Sequence, residues 1–410
     1  MKRHLRLAVL MAFLVTVAAC ASPVTFEETE PSMREVETIV AATFQALAPE
    51  IVESPAGAPV SASSLLPHTL YFLGNDSQGV SQIFRMERDG TTKTQLTFEP
   101  VKVWDYDVSR ADGSLAFETN NQLILINADG SNRRMLAERP GSQEGRGFFH
   151  PVFAPDGQTL AFAHNGLNLY SISSSLSSLV IADQMQDIGD GHVLPVETYA
   201  PESYSPDGTK LLLALGHWEV APSHAVYDPS TNALVRHAEV TDYIYCCSFH
   251  GGPVWSPDGS SFYGAASVHD TTYRSGELWK VNSENGEITR MFTMGEGTFY
   301  FPYEPYLAPD GQLYFFFGTY SVDSGFFDAP VLELVRSAPD GVMERTVLRD
   351  ENFVMIEEAL WAPDASFVIV ATSPGRVWNL DGGILELYYI DRQKDKVWLA
   401  PFGGQMKWGP

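Results

Sequence analysis

Positive charge is scarce in this chain. Its 410 residues carry 26 Lys and Arg against 51 Asp and Glu, a formal net charge of −25. Phosphate binding needs clustered Lys and Arg, so the composition argues against a nucleic-acid partner. It argues equally against direct adsorption to anionic lipid. What the acidity predicts is a soluble, self-repelling surface. Cysteine is almost missing, with only three residues. There is no Walker phosphate loop, no Cys-x-x-Cys pair, no His-Glu-x-x-His and no Gly-x-Ser-x-Gly, so the common signatures of nucleotide, zinc and serine chemistry are absent. Beyond the first twenty residues no apolar run is long enough to predict a membrane span.

What the chain does have is repetition. One turn motif recurs six times: Val108-Ser-Arg-Ala-Asp-Gly113, Phe153-Ala-Pro-Asp-Gly157, Tyr204-Ser-Pro-Asp-Gly208, Trp255-Ser-Pro-Asp-Gly259, Leu307-Ala-Pro-Asp-Gly311 and Trp361-Ala-Pro-Asp-Ala365. Its Asp stands at 112, 156, 207, 258, 310 and 364, at intervals of 44, 51, 51, 52 and 54 residues. A fixed period in this range marks a repeat architecture. In each copy a bulky apolar residue ends a short strand. Pro presets φ, Asp bonds forward to backbone amides, and Gly accepts a left-handed conformation. An apolar run follows each time, such as Leu115-Ala-Phe117 or Phe367-Val-Ile-Val370. Strand, turn, strand is a hairpin. Two further short strands complete each unit, and four antiparallel strands per fifty residues predict a β-propeller blade.

The chain ends add one more blade to this expectation. Residues 69–73, 82–86 and 93–97 read as strands two to four of a blade that lacks its first strand and its Pro-Asp-Gly turn. The chain finishes on Gln405-Met-Lys-Trp408-Gly-Pro410, which resembles the start of a repeat cut short. The expectation is that this C-terminal segment supplies the missing inner strand and closes a seven-bladed ring, removing exposed sheet edges. The runner-up is a six-bladed ring with an extra N-terminal hairpin. Two turns depart from the pattern, residues 109–113 with an extra residue and no Pro, and Ala365 in place of Gly. Both are expected to have altered geometry.

The apolar-Ser-Pro-Asp-Gly turn, the Leu-Ala-Phe strand, the Tyr/Phe-containing strand and the closing Asp-Gly together resemble the TolB-type family of WD40-like β-propeller repeats. The resemblance covers roughly residues 68–410. It implies a fold more than a function, because similar propellers occur in periplasmic assembly proteins, in the non-catalytic domains of prolyl peptidases and in some pectin-fragment lyases. Without a Gly-x-Ser-x-Gly elbow, the hydrolase domain beside some related propellers is not expected here.

Lys2, Arg3 and Arg6 precede an apolar run from Leu7 to Ala19. It is too short to span a bilayer and reads as a signal peptide over residues 1–19. It ends in Val17-Ala-Ala-Cys20, which resembles the bacterial lipoprotein signal. That resemblance implies that Cys20 becomes the lipidated first residue of the mature chain. Residues 20–67 then read as a tether. Ser32-Met-Arg-Glu35 is a capping box, and Val36, Ile39, Val40, Thr43, Phe44 and Leu47 follow at helical spacing. Pro49 to Pro67 is a Pro/Ala/Ser linker. The apolar helix face could dock a partner, fold onto the propeller or pair with its own copy.

Cys246 and Cys247 are adjacent. With Cys20 lipidated they have only each other within the chain, either as a strained vicinal disulfide or as two reduced thiols. Five of the ten His collect in the loops that a propeller would place at one end of its channel: His150, His164, His217, His250 and His269. Trp218 and Tyr303 stand with them as stacking surfaces. Imidazoles with aromatics could bind a sugar, a peptide or a transition metal. The turn Asp residues need no more than a capping role.

Two functions follow as expectations. The first is a lipid-anchored, extracytoplasmic module in the bacterial cell envelope, binding or assembling protein or glycan, with no cofactor. The alternative is a carbohydrate-active enzyme resembling pectin-fragment lyases, with a divalent metal on the His-rich face.

Overall fold

Each turn Asp accepts a hydrogen bond from the backbone N–H two residues on, so the repeat seen in the sequence is a repeated physical device. The donors are Ser114, Gln158, Thr209, Ser260, Gln312 and Ser366, at 2.8–3.1 Å. The structure is a computed structural model. It describes residues 64–139, 148–217, 223–237, 253–269, 274–291, 298–321, 331–354, 356–373 and 382–410. These residues contain no α-helix and form six antiparallel sheets. Residues Ala62–Pro410 group as one compact unit.

The sheets are built from four-stranded units in simple up-and-down order. Unit 1 is Val103–Val108, Leu115–Thr119, Gln122–Ile126 and Arg134–Glu138. Unit 2 is Val152–Phe153, Thr159–Ala163, Gly166–Ser171 and Leu176–Ala182. Unit 3 is His192–Tyr204, Leu211–Gly216, Ser223–Asp228 and Ala233–Arg236, with Gln184–Gly189 added at its edge. Unit 4 is Val254–Trp255, Ser261–His269, Arg274–Asn282 and Ile288–Arg290. Unit 5 is Thr298–Leu307, Leu313–Ser321, Leu332–Ser337 and Thr346–Phe353. The remaining sheet has seven strands. Its middle strand, Val397–Trp408, is shared. The first part pairs with Gly383–Tyr389 and ends unit 6, which begins with Ile356–Trp361 and Phe367–Thr372. The last part pairs with Leu70–Asn75, placing Tyr71 opposite Lys407 and Leu70 opposite Trp408. It thereby starts unit 7, completed by Ser81–Met86 and Lys93–Gln95.

Alternation along the strands explains why the units pack in series. Adjacent residues of a strand face opposite ways, and here both faces are buried. In unit 1, Leu115 and Phe117 join Tyr71 and Ile83 of unit 7, while Ala116 between them joins Phe149 and Leu160 of unit 2. In unit 6, Phe367, Ile369 and Ala371 face unit 7, and Val368 and Val370 face Phe316 and Leu334 of unit 5. This is why the second strands read as unbroken apolar runs, and each fully buried Leu or Phe is worth about 1.5–3 kcal/mol. Similar clusters join unit 2 to 3, 3 to 4 and 4 to 5. Three Trp residues bind neighbouring inner strands directly. Trp255 donates its indole N–H to Ser203 Oγ at 3.1 Å, Trp361 to the Glu304 carbonyl at 3.1 Å, and Trp408 to the Trp361 carbonyl at 2.8 Å. Trp408 thus does what the Trp of an intact repeat does.

One expectation about the turns is corrected. Ala365 keeps the regular geometry: its φ is +54° and its N–H reaches the Ala362 carbonyl at 2.9 Å, as Gly259 reaches Ser256 at 2.9 Å. The turn tolerates a left-handed alanine because the surrounding bonds impose it. The turn at 109–113 is altered as expected, since Gly113 bonds back four residues to the Ser109 carbonyl at 2.8 Å.

Candidate functional site

The inner strands carry a second repeated feature. Their pairing breaks register between Val103 and Asp105 in unit 1, Pro201 and Ser203 in unit 3, Tyr303 and Tyr306 in unit 5, and Ile356 and Glu358 in unit 6. In unit 7 the break lies opposite Gly404–Lys407. Bulges of this kind bend a strand and re-aim its side chains. Asp105, His150, Glu304, Glu358 and Gln405 all stand three residues before the apolar residue of the turn motif or its C-terminal copy. Three of them take left-handed φ: His150 at +42°, Glu304 at +50° and Gln405 at +50°. Polar residues thus recur at one level of the inner strands.

A cavity of about 210 Å³ lies where the inner strands of units 7, 1, 2 and 3 converge. Asp105, His150, Glu202, Ser203 and Lys407 give it polar walls, and Pro151, Val152, Pro201 and Pro253 give it apolar ones. His150 Nδ1 is 3.3 Å from Asp105 Oδ2, and Tyr106 N–H donates to the other Asp105 oxygen at 2.7 Å. Lys407 Nζ sits 3.0 Å from Asp107 Oδ1, and Phe153 N–H donates to Asp107 Oδ2 at 2.6 Å. Glu202 meets His224 Nε2 at 3.3 Å. His224 is buried and stacks on His237, with centroids 5.6 Å apart.

These pairings set the charge states. Burial works against the charged form of His150, but the Asp105 bond and the charges of Asp105, Glu118 and Glu202 outweigh it and raise its pKa. Burial likewise opposes the Asp105 charge, and the His150 bond with the His150 and Lys407 charges overcomes it, so Asp105 is held below the usual carboxylate range. Lys407 would be lowered by burial, yet Asp107 and Asp105 keep it above its ordinary value. His237 stays neutral, as burial and then the His224 charge push it down to about 3.

Glu118 lies directly across the ladder from Asp105 and is fully buried. One of its oxygens accepts the Phe148 and Phe149 amides at 2.8 and 3.1 Å, and the other, Oε1, has no hydrogen-bond partner. Burial, and secondarily the Asp105 charge, raises its pKa.

Of the described residues expected to share a site, only His150 borders this cavity. His164 stacks on Phe149 at 5.9 Å, and burial lowers its pKa. His217 bonds the Val196 carbonyl at 2.8 Å and Ser223 Oγ at 3.4 Å. Tyr303 is buried against Phe301, with centroids 6.2 Å apart. His269 is described by its backbone alone. Trp218, His250, Cys246, Cys247, Cys20 and residues 1–63 lie outside the described residues. Among the described residues no three His, Cys, Asp or Glu converge so as to hold a metal ion. Asp105, Glu202 and Lys407 lie on inner strands and not in the His-bearing loops that the sequence points to. Their signal was the register of the motif, which puts Asp105 three residues, Glu202 two and Lys407 one before its apolar position.

In sequence the chain matches no protein-family model and no curated protein. In structure it is similar to an oligogalacturonate lyase in complex with manganese, at 13% identity and TM-score 0.50, over 81% of this chain and 84% of that one. It is similar to a Mycobacterium tuberculosis puromycin-hydrolyzing peptidase at 12% identity and TM-score 0.53, over 82% of this chain and 52% of the peptidase. It is similar, at a TM-score of only 0.40, to TolB from Acinetobacter baumannii, with 13% identity over 82% of this chain and 79% of that one. At such identities the likeness establishes fold alone, and the chain is an all-β protein of the propeller kind.

Proposed function

We propose that the seven units close into a seven-bladed propeller and that the protein is a lipid-anchored, extracytoplasmic binding module in the bacterial cell envelope. Its ligand, a protein or glycan, seats in the cavity between the inner strands. The observation that carries this reading is the cavity itself. Opposed charges are held on rigid strands around a void of about 210 Å³, which is how small recognition sites are made specific. Ring closure is supported by the apolar clusters, which link each unit to the next and unit 7 back to unit 1. Anchoring is supported by Val17-Ala-Ala-Cys20. The lyase alternative rests on the fold likeness, which does not transfer an activity, and on a His-rich face that lies partly outside the described residues.

Two measurements test this. The full-length protein is screened on peptide and glycan arrays beside His150→Ala. Hits that disappear in the variant support a site at the cavity, and hits that persist place the binding elsewhere. For the anchor, the protein is expressed with its signal in a bacterial host. The wild type partitions into the detergent phase and Cys20→Ser is released or left unprocessed. Equal partitioning of the two contradicts lipidation.

A further inference from the structure

The chemistry around the cavity points to the charge of what it binds. Four carboxylates stand in or behind its walls. Asp105 and Glu202 line it, Asp107 holds the lining Lys407, and Glu118 backs Asp105. Among the described residues two cationic groups answer them, Lys407 and His150, and each is already committed to an Asp. Among the described residues Glu202 pairs with the His224 imidazole, at 3.3 Å. Residues directly opposite on an antiparallel ladder project to the same side, so Glu118 adds to the face carrying Asp105. It is 0% exposed, and its Oε1 lacks a partner among the described residues. A buried acceptor left open is costly, by about 1–3 kcal/mol, and positive charge in the adjoining cavity favours its charged form.

The geometry separates an organic cation from a metal ion. A metal needs donors converging on one point at about 2–2.6 Å, and no such group exists among the described residues. Here the carboxylates are spread around a void. Its 210 Å³ falls below the roughly 300–1,000 Å³ of ordinary ligand pockets, so it fits a group the size of one side chain. A guanidinium has five N–H donors in a planar fork and pairs carboxylates bidentately. Pro151, Val152, Pro201 and Pro253 offer the apolar wall that an alkyl stem needs.

We propose that the cavity binds a guanidinium group carried on a short alkyl stem. This rests on the reading of the cavity as the ligand site. The test is calorimetric titration of the full-length protein, in detergent, with argininamide. Binding is expected in the millimolar range or tighter, weakening as salt rises because ion pairing drives it. Citrullinamide, the uncharged analogue, should bind at least about tenfold more weakly, the scale of one hydrogen bond to a charged group. Glu202→Gln should weaken argininamide by a similar factor, and Asp105→Asn by at least as much. Met343→Ala, at an exposed turn away from the cavity, should bind as the wild type does. A Gly-Arg-Gly peptide that binds more tightly than argininamide identifies a protein side chain as the source of the cation. Equal affinity identifies a free small molecule. The proposal is overturned if argininamide and citrullinamide bind alike, if neither produces heat in protein of unchanged melting temperature, or if manganese chloride binds and argininamide does not. Should array hits still depend on His150 in that case, the binding module stands and only its cation preference is wrong.

Discussion

Removing Gln405 to Pro410 should destabilise the protein by several kcal/mol, the largest effect expected of any change this small. The segment is only six residues, but it is the inner strand of unit 7. Trp408 and Met406 are 5% and 4% exposed, and a buried Trp replaced by Ala costs about 3–5 kcal/mol. Trp408 also donates to the Trp361 carbonyl at 2.8 Å. Tyr106 reaches across units to the Gln405 carbonyl at 2.7 Å. Thr69 and Gly409 exchange backbone bonds with the chain end, from Thr69 N–H to the Pro410 carbonyl at 3.3 Å and from Gly409 N–H to the Thr69 carbonyl at 2.9 Å. Losing them opens the edge of Leu70–Asn75 and uncouples units 6, 7 and 1 together. Urea titration of the full and shortened chains measures this. Trp408→Ala should lose about 3–5 kcal/mol by itself. A shortened chain that melts within a degree or two of the intact one contradicts closure by the C-terminus.

The second large effect is a gain. Burial lifts the Glu358 pKa to about 7, against the backbone bond from Met406 and the Lys407 charge. Glu304 is also raised well above its ordinary value, by burial and then by the Glu358 charge, and its Oε1 has no partner among the described residues. An unfolded glutamate titrates near 4.3. Between there and about pH 7 the folded state therefore binds more protons than the unfolded one. Stability falls as pH rises through that window, and Glu304 extends the fall above it. At about 1.4 kcal/mol per pH unit of pKa displacement, Glu358 costs up to about 4 kcal/mol at pH 8. Glu358→Gln still accepts from Met406 N–H, now at 2.6 Å, through a neutral amide oxygen. It should stabilise the protein by about 1–3 kcal/mol at pH 8, do little at pH 4.5, and flatten the profile between. Urea midpoints at pH 5, 6, 7 and 8 decide it. Parallel profiles, or a variant weaker than wild type at pH 8, contradict the account.

Much of the fold was legible because its signals are local. The Asp of each turn bonds two residues ahead, a relation visible in any six-residue window. The unbroken apolar runs such as Phe367-Val-Ile-Val370 came from burial on both faces, and they mark the second strands. The composite unit was legible through Trp408, whose place in the motif matched that of Trp255 and Trp361. The site was harder. Lys407 meets Asp107 across three hundred positions of chain, and His150 meets Asp105 across a unit boundary. Only aligning the repeats three residues before each turn brings Asp105, His150, Glu304, Glu358 and Gln405 to one level. Searching the loops for imidazoles instead grouped His150 with His164 and His217, which the fold occupies with Phe149 and with the Val196 carbonyl. The geometry of Ala365 was not legible either, because its +54° φ is imposed by the hairpin around it and not by the residue.

The most direct measurement is a crystal structure of the protein. The account requires seven four-stranded units in a closed ring, with Tyr71 paired to Lys407 and the Asp105–His150 and Asp107–Lys407 pairs facing one cavity beside Glu202. A ring of six with residues 70–95 as a separate hairpin, or a C-terminal strand not paired with Leu70–Asn75, would contradict it.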